Sequence, residues 1–122
     1  PAGISRAVLL RGGEVVDGIE LARTRRPAAR TDRDLARGPA RLCSALGLDR
    51  SDDGEPLGGP GSRISLTLPE LQRVPDAERI RCGPRTGVAG PGGDGEAFPW
   101  RFWLDGEPTV STYRPAVTRR RS

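Results

Sequence analysis

The sequence predicts an α+β fold in which short helices come first and short antiparallel strands follow. Three observations carry this expectation. Capping and breaking residues bracket short helical runs between Asp17 and Gly47. Ile64 to Leu68 (ISLTL) alternates apolar and polar residues at the period of a strand with one wet face. Arg101–Leu104 and Thr109–Tyr113 flank the turn signal Asp105-Gly106, which predicts a hairpin. The 122 residues suffice for one small domain. Its boundaries are expected at residues 1–115, with 116–122 a basic, solvated tail.

The elements follow in order. Ala7-Val8-Leu9-Leu10 is predicted as a strand buried on both faces, ending at Arg11. Gly12-Gly13 suggests a turn or bulge, and Glu14-Val15-Val16 a continuation. Asp17 is placed to cap a helix starting at Gly18, with Glu20 as its capping-box partner and Pro27 just beyond its end. Thr31 or Asp32 caps a second helix through Arg37, and Gly38 is expected to end it in the left-handed conformation. Pro39 suits the first position of a third helix, which runs to about Leu46 and stops at Gly47. Residues 51–62 read as loop, Ile80 and Cys82 as a short strand, and Gly83 to Gly95 as a Gly/Pro-rich loop.

Composition narrows the function classes. Leu, Ile, Val and Phe make up about a fifth of the chain, while there are 17 glycines and 12 prolines. So thin an apolar complement hardly offsets the entropy of ordering. With no methionine, and a strand-like run close to Pro1, the expectation is the C-terminal part of a longer protein. Every basic residue is Arg, which fits GC-rich codon usage, and the formal net charge is +4. The excess lies in residues 1–50, which suits a polyanionic partner. There is no histidine, so Ser-His-Asp and Cys-His catalysis are excluded within the chain and a zinc site is disfavoured. Cys43 and Cys82 match no metal spacing and read as buried free thiols of a cytosolic protein. No apolar run approaches membrane-spanning length. The acidic residues lie in polar surroundings that give no general acid a raised pKa. GVAGPGGDGE lacks the lysine and the strand–turn–helix context of a phosphate-binding loop and reads as surface loop. Trp100, Phe102 and Trp103 read as core, with base stacking as the alternative.

The Gly38-Pro39 break is the local feature that bears on function. A helix opened by Pro39 offers its first free N–H groups from Ala40 and Arg41, and with the helix dipole and the Arg41 side chain these favour an anion. An ordinary helix–turn–helix corner with exposed arginines, Arg37 among them, is the other reading.

These segments together resemble the C-terminal half of the 3-methyladenine (alkyladenine) DNA glycosylase family. The resemblance is carried by AVLLRGGEVVDGIELARTRR, RDLARGPARLCSALGLD, DDGEPL, CGPRTGV and PWRFWLDGEPTVS, in family order, over most of residues 7–57 and 82–111. It implies one compact α+β unit around a curved, barrel-like antiparallel sheet. It also implies removal of alkylated or deaminated purines from duplex DNA by base flipping and attack of an activated water, without metal or other cofactor. By this resemblance Arg11 helps hold the attacking water, and the main-chain carbonyl at Thr86 touches it. Thr86 stands where the family usually has an aliphatic residue. Gly38, Pro39, Ala40 and Arg41, with Arg37 and Arg85, are implied to face the DNA backbone. The family's general-base glutamate and its base-sandwiching aromatics belong to the N-terminal half and have no counterpart in this chain. The implied partner is double-stranded DNA with damaged purines. The complete protein is expected to be a cytoplasmic, nucleoid-associated bacterial monomer that uses no metal and meets no membrane. The rival reading is a basic nucleic-acid-binding module without catalysis, or a decayed remnant of the enzyme.

Overall fold

A computed structural model of the protein describes residues 3, 4, 6–68 and 77–116. The chain divides into two compact units, Pro1–Leu66 and Thr67–Ser122. The expected tail lies outside the described residues except for Ala116.

The first unit is built on two helices, α1 (Ile19–Arg25) and α2 (Pro39–Leu46). They pack around Ala22, Leu35, Ala36 and Ala45, with Val15, Ile19, Ala29 and Leu42 against them. Small side chains dominate this core, and Leu35 is its largest fully buried member. Helix α1 ends before Pro27 as expected, but its start differs. Gly18, in the left-handed conformation, is the N-cap, and Asp17 accepts only the Gly18 N–H, at 2.8 Å, so Asp17 and Glu20 form no capping box. The capping box of this unit lies elsewhere, at Asp49 and Asp52, around a single 3₁₀ turn over Arg50–Asp52.

The predicted second helix is only a 3₁₀ turn, Asp32–Asp34. Leu35 stays in helical geometry, but Gly38 N–H already bonds the Ala36 carbonyl at 3.1 Å, which closes a tighter turn and ends propagation. Gly38 has a positive φ of 126°, but with ψ of 153° it is not left-handed helical. Helix α2 matches expectation, with Pro39 at its first turn and Gly47 (φ 70°) at its end. The Leu48 N–H bonds Cys43 O at 2.9 Å and the Gly47 N–H bonds Ser44 O at 3.1 Å, the paired bonds of a Schellman motif.

The strands expected at Ala7–Leu10 and Ile64–Leu68 do not form. Ala7–Leu10 pairs with no strand among the described residues, and Val8 is 88% exposed. Ile64 makes one isolated parallel bridge with Leu57, while Leu66 and Leu68 are exposed. A strand is held by its neighbour's hydrogen bonds, and neither segment has a neighbouring strand among the described residues. Cys43 and Cys82 are free but exposed, not buried. Helix α2 turns Leu42 and Ala45 to the core, which leaves Cys43 and Leu46 to solvent.

In the second unit β1 (Ile80–Gly83) pairs antiparallel with β2 (Arg101–Leu104), in register Ile80 with Leu104 and Cys82 with Phe102. The two-stranded sheet is neither closed nor strongly curled. The expected β2 hairpin with Thr109–Tyr113 does not form. Asp105-Gly106 does turn the chain, but Arg79 fastens that turn to β1 by donating to the Asp105 carbonyl at 3.0 and 2.7 Å. Thr109 N–H and hydroxyl then approach the Glu107 carboxylate, and the Val110 N–H bonds the Glu107 carbonyl. The first two N–H donors of a returning strand, those of Thr109 and Val110, are spent inside the turn. Residues 84–95 form the expected loop, with one 3₁₀ turn at Pro91–Gly93. Trp100 and Phe102 are exposed rather than core, at 60% and 67%. Trp103 is half-buried, packed on Gly83 with the Arg101 guanidinium 4.2 Å from its ring centre.

Candidate nucleic-acid interface

The Gly38-Pro39 break is held from three sides. Leu35 and Ala36, both buried, root it in the core. Arg26, just past α1, reaches across to donate from Nε to the Leu35 carbonyl at 3.2 Å and from Nη2 to the Asp34 carbonyl at 3.5 Å. The Gly13 N–H donates to the Ala36 carbonyl at 3.3 Å. This last bond brings the segment carrying Arg11 beside the break, a juxtaposition that the sequence spacing alone did not reveal.

Helix α2 starts without a side-chain cap, because Gly38 has none to offer. The first intrahelical bond runs from Leu42 N–H to Gly38 O at 2.8 Å, so the N–H groups of Ala40 and Arg41 have no acceptor within the helix. Ala40 and Arg41 are exposed, and Arg37, Gly38 and Pro39 are half-buried. Arg37 stands 3.8 Å from the Asp34 carboxylate.

Beside this helix start lies a cleft of about 320 Å³ lined by Arg26, Arg30, Asp34 and Arg41, with Ala28 and Ala29 between them. Arg26 and Arg30 were not singled out by sequence reasoning. Their signal was the arginine density of RTRRPAAR, which a charge count records but cannot place on one surface. Arg11 is half-exposed and makes no hydrogen bond or ion pair among the described residues.

Thr86 and Arg85 belong to the second unit. Thr86 sits half-buried in the turn after β1. Arg85 is committed to its own loop. It donates from Nη2 to the Gly92 carbonyl and lies 5.5 Å from the Trp100 ring centre, while its buried Nε finds no partner. Phe98 meets Trp100 edge to face at 5.1 Å. Another hollow of the first unit, about 900 Å³, is lined by Cys43, Asp49, Asp52 and Asp53 among others. Asp49 is held below the ordinary carboxylate range, first by the Ser51 hydroxyl and then by the Ser51 N–H. That keeps it ionised, the opposite of what a general acid needs. Among the described residues no group of three or more His, Cys, Asp or Glu side chains is placed to hold a metal, and no helix is long and apolar enough to cross a membrane.

Comparison with known proteins places these residues in a family. The profile of methylpurine-DNA glycosylase (MPG) matches residues 1–108. A protein of Streptomyces avermitilis carrying the provisional name 3-methyladenine DNA glycosylase is 54% identical over 125 aligned positions, covering 99% of this chain and 54% of its own length. Proteins with the same provisional name from Leifsonia xyli subsp. xyli and Nocardia farcinica are 52% and 50% identical, each over 93% of this chain. The chain spans about half the length of the curated relatives it matches.

Proposed function

Because the chain belongs to the methylpurine-DNA glycosylase family, we propose that it supplies the DNA-facing half of a base-excision repair enzyme. In this reading the enzyme hydrolyses the N-glycosidic bond of alkylated or deaminated purines in duplex DNA, after flipping the damaged nucleotide out of the stack. The observation that carries it is the Gly13–Ala36 bond, which sets the Arg11 segment against the uncapped start of α2 inside the matched region. One element would thus carry the arginine of the water site and the next would meet the DNA backbone.

Arg11 helps hold the attacking water by donating to it, and the Thr86 carbonyl accepts from that water. Neutral N–H groups of Ala40 and Arg41 and the Arg41 guanidinium position the duplex by its phosphates without reading sequence. Arg37 precedes the Gly38-Pro39 turn in the first unit, and Arg85, in the second, is assigned a DNA contact of its own. The activating carboxylate and the base pocket come from the part of the enzyme that this chain does not match in its relatives. A curved, barrel-like sheet in one compact monomeric domain is completed only with that part, and the enzyme works on the nucleoid in the cytoplasm.

The test is an excision assay. The natural full-length protein is expected to release hypoxanthine or ethenoadenine from a duplex, while residues 1–122 alone release neither. Excision by residues 1–122 alone would show that the activating carboxylate lies within this chain. No excision by the full-length protein, with duplex binding retained, would favour the non-catalytic binding module.

A further inference from the structure

We propose that the cleft beside α2 is a clamp for one phosphodiester group of duplex DNA, with Arg30 and Arg41 as its jaws. The proposal rests on the reading that the protein acts on duplex DNA, but not on the chemistry of excision.

The charge of the cleft is unbalanced. Three arginines, Arg26, Arg30 and Arg41, line it with one acidic residue, Asp34. The Asp34 carboxylate is already engaged, accepting the Thr31 hydroxyl at 2.9 Å and standing 3.8 Å from Arg37. Arg26 keeps its charge but spends donors on the carbonyls of Leu35 and Asp34. Arg30 and Arg41 are different. Both are exposed, and neither side chain makes a hydrogen bond or ion pair among the described residues. They come from separate elements, the loop after α1 and the first turn of α2, and they line the same hollow.

Two uncommitted guanidinium forks on one hollow match the oxygens of a phosphodiester, which accepts two planar pairs of N–H donors. The α2 start adds its positive dipole end on the Arg41 side. Ala28 and Ala29 leave the space between the arginines open. Its volume of about 320 Å³ equals that of roughly ten waters, taking about 30 Å³ for each. That holds a phosphodiester with some of its hydration, and a contact to the backbone alone carries no base readout. The site would therefore bind duplex irrespective of sequence or damage.

The test uses Arg30→Gln, Arg41→Gln and the double variant in the natural full-length protein. Arg50→Gln removes the same charge at the other hollow and serves as the control. Binding to an undamaged and to a hypoxanthine-containing duplex is followed over about 50 to 200 mM salt. One shared phosphate predicts that the double variant lowers the slope of log affinity against log salt by about one. The loss should be equal for the two duplexes, and Arg50→Gln should leave the slope in place. An unchanged slope in the double variant, or an equal change in the control, would overturn the clamp. A fall of about two would assign the arginines to separate phosphates and overturn the shared site. Thermal stabilisation by inorganic phosphate that the double variant loses, with the duplex slope unchanged, would assign the cleft to a free anion instead. Wild-type protein that excises nothing while the slope falls as stated would refute the glycosylase reading and leave the clamp standing.

Discussion

The guanidinium of Arg25 lies flat against Gly47, and a Cβ placed on Gly47 would stand 2.7 Å from its Cζ. Arg25 Nη1 also donates to the Ala45 carbonyl at 3.1 Å, so the end of α2 is tied to α1 by one side chain. Gly47 has two reasons to be glycine, its left-handed φ of 70° and this close approach. Gly47→Ala is expected to cost about 1–2 kcal/mol in backbone strain, plus the loss of the Arg25 contact. In an Arg25→Ala background the second part should vanish. Urea denaturation of the four proteins gives the coupling directly, and purely additive costs would refute the contact.

Gly38 makes a different demand. Its φ of 126° and ψ of 153° fall in a region open almost only to glycine, yet nothing lies within 4 Å of an added Cβ. Strain is then the whole cost, and Gly38→Ala should destabilise by about 1–3 kcal/mol. In the Arg25→Ala background, where no guanidinium meets the added Cβ, asparagine should rescue position 47, whose left-handed helical region tolerates it, and asparagine should fail to rescue position 38. Equal rescue at both positions would mean that the chain enters α2 differently.

These two glycines also show what was legible in the sequence. Pro39 and Gly47 bracket α2 because their constraints are local: a fixed φ at the start and a left-handed residue at the end. The Ile80–Gly83 strand was likewise foreseen. The strands expected at Ala7–Leu10 and Ile64–Leu68 depend instead on partners, which a run of apolar residues implies but cannot supply. β2 was foreseen with the wrong neighbour, because the turn signal at Asp105-Gly106 says that the chain reverses and not which edge it joins. The pull of Arg79 on the Asp105 carbonyl decides that, from 26 residues away. The arginine cleft was illegible for the same reason, since Arg30 and Arg41 line one hollow only after the break has folded the chain back.

Acid should loosen two turns. Asp49 accepts from the Ser51 hydroxyl and N–H, both at 2.7 Å, and Asp94 accepts from the N–H groups of Ala97 and Glu96. These bonds favour the ionised form, so both carboxyls sit below the ordinary aspartate value. A folded-state pKa below the unfolded one means that the stabilisation is present above about pH 3.9 and is lost as pH falls through the depressed midpoint. Carboxyl chemical shifts should titrate below that value at both residues, with the Ser51 and Ala97 amides losing protection in step. A midpoint at or above the ordinary value would place the carboxylates outside these turns.

Arg11 and Arg41 should fail in different ways in the full-length enzyme. Arg11, set beside the break by the Gly13–Ala36 bond, is proposed to act on the water and not on the duplex. Arg11→Gln is therefore expected to slow single-turnover excision by about 10²-fold, the usual cost of one preorganised donor, with duplex affinity nearly unchanged. Arg41→Gln should weaken binding and leave the rate at saturating enzyme close to wild type. Thr86→Val should alter neither, because its proposed contribution is a main-chain carbonyl that the substitution keeps. If Arg11→Gln excised at the wild-type rate and bound weakly, Arg11 would belong with Arg30 and Arg41 on the phosphate side, and the water would be held without it.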